Sequence, residues 1–197
     1  MDHIQKDNPA DGFIIEHYNG RPLSLEGRTE PELATYDWLD RLAIPYETFS
    51  HPATFTMEEC GTVKAAIGAH VFKNLFLCNR QKTQFYLLLL PADKPFKTKF
   101  LSAQLGCARL SFADAEAMEQ LLHIHPGAVS PMGLMNDREQ KVRLVVDRDL
   151  LKEERVGCHP CVNTATLRLA LRDLLEVFAP SVGHPSTLVQ LPVEEQE

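Results

Sequence analysis

Three groups of residues have types and spacing that could do chemistry. Cys158-His159-Pro160-Cys161 matches the C-x-x-C pattern of a redox dithiol, even to the proline. Such a motif needs its first cysteine at a helix N-terminus to stabilise the thiolate, and the residues that follow, Val162-Asn163-Thr164-Ala165-Thr166, are strand-forming. The context is therefore wrong for a thiol oxidoreductase. Zinc fits no better: there is one C-x-x-C with no second pair at ligand spacing, although His51, His70, His123 and His125 are available in principle. No metal and no cofactor are expected.

The second group is Lys73 and Asn74, set in the apolar run Val71–Leu77. A polar group buried in such a run costs roughly 2–7 kcal/mol unless it finds partners. Lys73 can snorkel from a strand end and Asn74 can cap a ladder irregularity, or the two can belong to a site; the run alone does not separate these readings. The third group is the segment His125–Leu134, HPGAVSPMGL. Two prolines and two glycines in ten residues forbid regular structure, yet Ala128, Val129, Met132 and Leu134 are too apolar for a solvated loop. Such a loop lies against something, and its free amides could bind a ligand oxygen; a core-covering crossover explains it equally well. No nucleophile elbow, P-loop, H-E-x-x-H or dinucleotide-binding glycine pattern occurs.

The elements that must position these groups can be read from periodicity. Val71–Pro91 predicts two strands joined by a polar hairpin over Cys78–Gln84, with Val71, Lys73, Leu75 and Leu77 on one face and Phe72, Asn74 and Phe76 on the other. Both faces are apolar, which predicts a central strand covered on both sides. Before it, a helix opens near Thr29, with Glu32 completing a capping box, and carries the stripe Leu33, Tyr36, Leu39. Tyr46–Ser50 is a short strand, and Thr56 with Glu59 opens a second helix with another capping box. After the hairpin come a helix over Thr98–Leu105 closed by Gly106, a short strand within 108–112, a helix capped by Asp114, and a strand Lys141–Asp147. A strand from Arg155, a β-branched strand after the C-x-x-C and a closing helix over Arg172–Phe178 follow. The whole reads as one mixed α/β domain over residues 29–180, with an arm at 1–28 and a loose acidic tail at 181–197.

Composition bounds the class. The 197 residues, 44% hydrophobic and 24% charged, suit one globular domain, and five cysteines at irregular spacing make no disulfide framework. No apolar run approaches the ~20 residues that cross a bilayer, and the opening MDHIQKDNPADG has no secretion-signal pattern, so a cytoplasmic, membrane-free protein is expected. The net charge is −7, but between Cys60 and Ala113 eight basic residues face the single acid Asp93. That segment carries +7 and the remainder −14. Such segregation predicts one basic face for a polyanion, made by the hairpin tip and the Lys94–Lys99 loop.

Six blocks in order, HPATFTMEE (His51–Glu59), FKNLFL (Phe72–Leu77), LPADK (Leu90–Lys94), LSFA (Leu110–Ala113), HPGAVSPMGLMND (His125–Asp137) and GCHPCVNTATL (Gly157–Leu167), resemble the YbaK-type aminoacyl-tRNA deacylases. That family includes free-standing editing proteins and the editing domain of bacterial prolyl-tRNA synthetases. The resemblance covers roughly residues 30–180 and is greatest to the free-standing prolyl-tRNA editing proteins, which remove alanine from proline tRNA. It implies a mixed, strongly curved sheet with surrounding helices and a hydrolase that deacylates mischarged tRNA(Pro), Ala-tRNA(Pro) first and Cys-tRNA(Pro) as the rival. The terminal ribose hydroxyl of the tRNA would assist. It further implies catalytic roles for Lys73, Asn74, Gly127 and His159 and an aminoacyl pocket made by Ala128, Val129, Ser130, Pro131 and Met132. With the basic face it gives Lys82, Lys97 and Lys99 as tRNA contacts. Prolyl-tRNA synthetase is the implied protein partner, and the chain would act as a monomer or homodimer. Cys158 stands where an aromatic or other apolar residue is common in the family. A non-catalytic tRNA- or synthetase-binding module of the same fold is the alternative.

Overall fold

The computed structural model describes residues 5–7, 14–53 and 57–193. Strands are β1 Gln5–Asp7, β2 Ile15–Asn19, β3 Tyr46–Ser50, β4 His70–Asn79, β5 Phe85–Pro91, β6 Leu110–Phe112, β7 Val142–Asp147, β8 Arg155–Cys158, β9 Ala165–Ala170 and β10 Thr187–Val189. The helices are α1 Glu30–Arg41, α2 Met57–Ile67, α3 Thr98–Leu105 and α4 Ala115–Leu122, with a 3₁₀ turn over Pro131–Asn136 and a π-type helix over Asp173–Phe178. The strands form one mixed, curved, unclosed sheet in the order β1-β2-β3-β9-β8-β4-β5-β7-β10, with β6 also on β4. This is the mixed α/β architecture expected.

The hairpin of β4 and β5 is the spine. The predicted alternation holds: Phe72, Phe76 and Cys78 enter the main core with Leu87, Leu89, Leu144, Val146, Leu174 and Phe178. Leu77, Leu88 and Leu90 enter a second core with Leu101, Val145 and Val189. Leu87 to Leu90 are all fully buried. Each such leucine contributes about 1.5–3 kcal/mol relative to an exposed one. A third cluster, Ile15, Phe49, Val63 and Ile67, seats α2 on the β2–β3 end of the sheet.

The sheet is split along one edge of β4. Parallel pairing with β8 covers only His70 and Val71, and antiparallel pairing with β6 covers Leu77–Asn79. The carbonyl of Phe76 accepts from Ala113 N at 2.9 Å on that edge, so alternation directs the backbone of Asn74 into the gap between β8 and β6.

Several expectations are corrected. Ile15–Asn19 pairs with β3, and Thr187–Val189 pairs in parallel with β7, so parts of the expected arm and tail are built into the sheet. Val189 and Leu191 are buried, and their apolar side chains act with the β7 pairing and with Leu191 N on Asp147 and Gln190 N on Gln104 to hold the C-terminal segment. The loop after His125 is not wholly irregular, because Pro131 starts a 3₁₀ turn, where its missing N–H costs nothing. In α1, Thr29 is the N-cap residue but its side chain caps nothing; Glu32 instead is buried, accepting from Arg28 Nη1 at 2.5 Å and Tyr36 Oη at 2.8 Å. The second capping box involves Thr56, outside the described residues.

Candidate functional site

Lys73 is half-buried on the α2 face of β4, and its Nζ donates to the backbone carbonyl of Lys94 at 2.9 Å. Lys94 is itself pinned. Its Nζ lies 2.8 and 2.9 Å from the two oxygens of Asp147 and 2.6 Å from Asp149 Oδ2, with Lys94 and Asp147 buried. Asp147 also accepts from Asp149 N and Leu191 N, both at 2.9 Å. Lys94 therefore belongs to a buried ion cluster and cannot join the basic face to which its charge was assigned. What it does is fix the carbonyl that orients Lys73.

Asn74 points to the opposite face from Lys73, toward the main core. Its Oδ1 is buried with no hydrogen-bond partner among the described residues, and its Nδ2 reaches Phe72 O only at 3.5 Å. Leaving such an acceptor unmade costs about 1–3 kcal/mol. The same strand carries a second orphan atom of this kind, His70 Nε2.

The loop facing this region is shaped by a type II turn. Ala128 N donates to His125 O at 3.1 Å, Pro126 takes the second position and Gly127, at φ +91°, the third. Beyond it, fully buried Ser130 does two things: its Oγ accepts from Met132 N at 3.2 Å and donates to His159 O at 2.5 Å. The loop is thereby tied to the strand end that bears His159. Ala128, Pro131 and Met132 are buried in or beside the main core, Val129 is half-buried and Gly127 is exposed. The surface this loop offers is thus Gly127 and Val129, while Met132 is packed away. Gly133 sits so close to Ile124 and Leu122 that a Cβ would fall 2.5 Å from the Ile124 side chain.

His159 Nδ1 donates to Ala165 O at 2.8 Å, which fixes the neutral tautomer and leaves Nε2 as an acceptor. Burial holds its pKa below the ordinary value, against the pull of the Ala165 carbonyl. Beside it stands His51, which the sequence offered only as a possible zinc ligand and not as a partner of His159. Its Nδ1 donates to Pro52 O at 2.8 Å and its Nε2 takes the hydroxyl of Thr166 at 3.0 Å. Its pKa is also depressed, by burial first and by the neighbouring His159 as well. The one signal in the sequence was its place at the head of the HPATFTMEE block. His51 continues the β3 ladder through His51 N to Thr164 O at 2.9 Å, and Thr166, paired with Phe49, faces α2. Lys73 and His51 thus share the α2 face of the sheet, with His159 beside His51, while the Asn74 side chain points to the other face.

Cys158 and Cys161 are poorly placed to act as nucleophiles. Cys158 ends β8, no helix follows it, and both Cys158 and Cys161 are buried with their thiols pushed up to about 12 by burial. Among the described residues no group of three His, Cys, Asp or Glu side chains could hold a metal ion. Of the expected tRNA contacts, Lys82, Lys97 and Lys99 are exposed; Lys82 pairs with Asp114 at the start of α4, and the ammonium of Lys99 lies 4.7 Å from the centre of the Phe100 ring. Two cavities lie elsewhere: one of about 720 Å³ by Lys64, His70 and Glu153, and one of about 630 Å³ by Asp40, Glu47 and Arg168. No helix among the described residues is long and apolar enough to cross a membrane.

Fold and site together define an α/β protein with a split curved sheet that carries a lysine oriented by a backbone carbonyl, two histidines and a loop tied to a strand end. The chain belongs to the aminoacyl-tRNA editing domain family, whose profile matches residues 51–177. It is 34% identical over 139 residues to the prolyl-tRNA editing protein ProX of Acetoanaerobium sticklandii, covering 71% of this chain and 85% of that one. It is 36% identical over 151 residues to prolyl-tRNA synthetase associated domain-containing protein 1 of Mus musculus, covering 74% and 88%. A solved structure described as a candidate trans-editing enzyme for prolyl tRNA synthetase superposes with a TM-score of 0.62 at 19% identity, over 83% of this chain and 99% of that chain, a likeness of fold.

Proposed function

We propose that the protein is a trans-editing hydrolase that cleaves the aminoacyl ester of mischarged tRNA(Pro), with alanine as the preferred acyl group and cysteine as the rival. The observation that carries this reading is the tether between Ser130 Oγ and the His159 carbonyl, which locks the Gly127–Pro131 loop to the backbone of a residue whose imidazole is itself fixed by the Ala165 carbonyl. Family membership and the names of the ProX and mouse relatives support the substrate class.

Ester hydrolysis needs a positioned water and donors for the developing oxyanion, each well-placed donor being worth roughly 2.7–4 kcal/mol. In this reading amides of the Gly127–Pro131 loop serve the carbonyl, and Lys73 holds the terminal nucleotide. His159 Nε2 receives a hydrogen bond from the ribose hydroxyl or the attacking water. Asn74 offers its backbone at the sheet gap and an acceptor without a partner. No protein nucleophile is needed, in keeping with buried, protonated thiols. Lys82, Lys97 and Lys99 contact tRNA phosphates, prolyl-tRNA synthetase is a docking partner, and the protein works in the cytoplasm without a cofactor.

The test is ester loss from alanyl-, cysteinyl- and prolyl-tRNA(Pro) incubated with the protein. A small pocket discriminates only about 10–200-fold per methylene, so alanine should be lost fastest and proline slowest. Hydrolysis of prolyl-tRNA(Pro) at or above the alanyl rate contradicts an editing role. Binding of tRNA(Pro) without hydrolysis of any of the three supports the non-catalytic alternative.

A further inference from the structure

We propose that Phe112, with Phe96 beside it, is a stacking platform for an unpaired base next to the terminal nucleotide of the RNA. Phe112 is 62% exposed although it lies in a strand, and no core claims it. The Phe96 ring meets it edge-on with centroids 6.4 Å apart, so the platform is held from one side and open on the other.

Its position ties it to the site. Phe112 is the antiparallel partner of Leu77, so its side chain shares the face of Leu75, Leu77 and Lys73. Leu77 lies four residue steps beyond Lys73 along β4, about 13 Å at a rise of ~3.3 Å per residue. That is a span of a few nucleotides at about 3.4 Å each when stacked. Phe96 follows Lys94, whose carbonyl holds Lys73, so the two features share one loop. The surround is mainly cationic: Lys97 before α3, Lys99 in its first turn and Arg109 just before β6 are exposed, against the exposed acid Asp93 in the same loop. An exposed ring bordered by cations is the composition of a single-stranded nucleic-acid groove, in which any base can stack because every base has a π-face. A protein partner would find the same ring, but the bordering charge favours a polyanion.

This proposal rests on the reading of an RNA substrate and is tested with uncharged RNA, apart from ester hydrolysis. The probe is an RNA hairpin with a four-nucleotide unpaired 3′ end, beside the same hairpin with abasic residues replacing the two bases before the last. Wild type should bind the intact hairpin about 5- to 150-fold more tightly than the abasic one, the range for one stacked base. Phe112→Ala should lose that factor on the intact hairpin and show no further loss on the abasic one, while Phe112→Trp should restore it. Phe112→Ala should melt with wild type, since the side chain is exposed. If Phe112→Ala binds the intact hairpin like wild type, or keeps the full abasic penalty, the platform is overturned and the ring is left to a protein partner. Coupling between Phe112 and the bases in a protein that hydrolyses no ester would overturn the proposed activity and uphold the platform.

Discussion

The ammonium of Lys73 is held at 2.9 Å by the backbone carbonyl of Lys94, and the Lys94 side chain is in turn buried between Asp147 and Asp149. One lysine is thus oriented by the peptide of another, whose charge is spent on anchoring the loop. A buried pair of this kind does not by itself stabilise a fold, but breaking it strands a charge. Lys94→Met leaves the Asp147 carboxylate in the core with two amide donors and no cation, and should cost about 3–5 kcal/mol. Thermal or denaturant melting reads this directly. A melting point unchanged from wild type would remove the cluster as an anchor.

Gly127→Ala tests the turn separately from the chemistry. A Cβ there meets nothing within 4 Å, so any cost comes from φ +91°, where an L residue is strained by about 1–3 kcal/mol. The variant should fold with reduced stability and reduced deacylation, because Gly127 belongs to the exposed part of the loop. A variant as stable and active as wild type would show that neither the φ nor the loop shape matters.

Cys158→Ala and Cys161→Ala should retain most deacylation and be indifferent to reductant. Each loses a small buried side chain, a cost near 1 kcal/mol by methylene bookkeeping. Loss of activity in both with melting intact would revive the thiol reading.

The histidines set the pH behaviour. His51 and His159 have folded-state pKa values depressed below the ordinary ~6.5, so below that pH the unfolded chain binds more protons than the native one. Stability should therefore be level above pH ~6.5 and fall as pH drops below it. Deacylation by neutral His159 should likewise hold its plateau down to about 6.5, with its acid limb lying lower. His159→Asn should remove that limb. An acid limb centred above 6.5, or one unchanged in the variant, would argue against the neutral imidazole.

Much of this was legible in the chain because local rules agreed with tertiary packing. The β4–β5 hairpin was marked by two unbroken apolar runs, and Gly106 and Asp114 close α3 and open α4 as their residue types dictate, with Gly106 at φ +62° and Asp114 Oδ1 accepting from Ala117 N at 3.0 Å. Thr29 failed as a side-chain cap because Glu32 found Arg28 and Tyr36, partners that periodicity cannot reveal. Lys94 was miscounted as surface charge because its counter-ions, Asp147 and Asp149, lie more than fifty residues on. A still longer separation hid His51, whose ring meets Thr166 and His159 more than a hundred residues on. The edge strand β10 was obscured by flanking prolines, although Leu188, Val189 and Leu191 carry the apolar signal.

The most direct test of the account is Lys73→Met, which keeps the stem and removes the charge. Single-turnover deacylation of alanyl-tRNA(Pro) and a melting curve would be measured on the same preparation. The account predicts a fall in rate of about ten-fold or more, roughly 1.4 kcal/mol of transition-state stabilisation, with a melting point equal to or above that of wild type. A wild-type rate in the folded variant would contradict it.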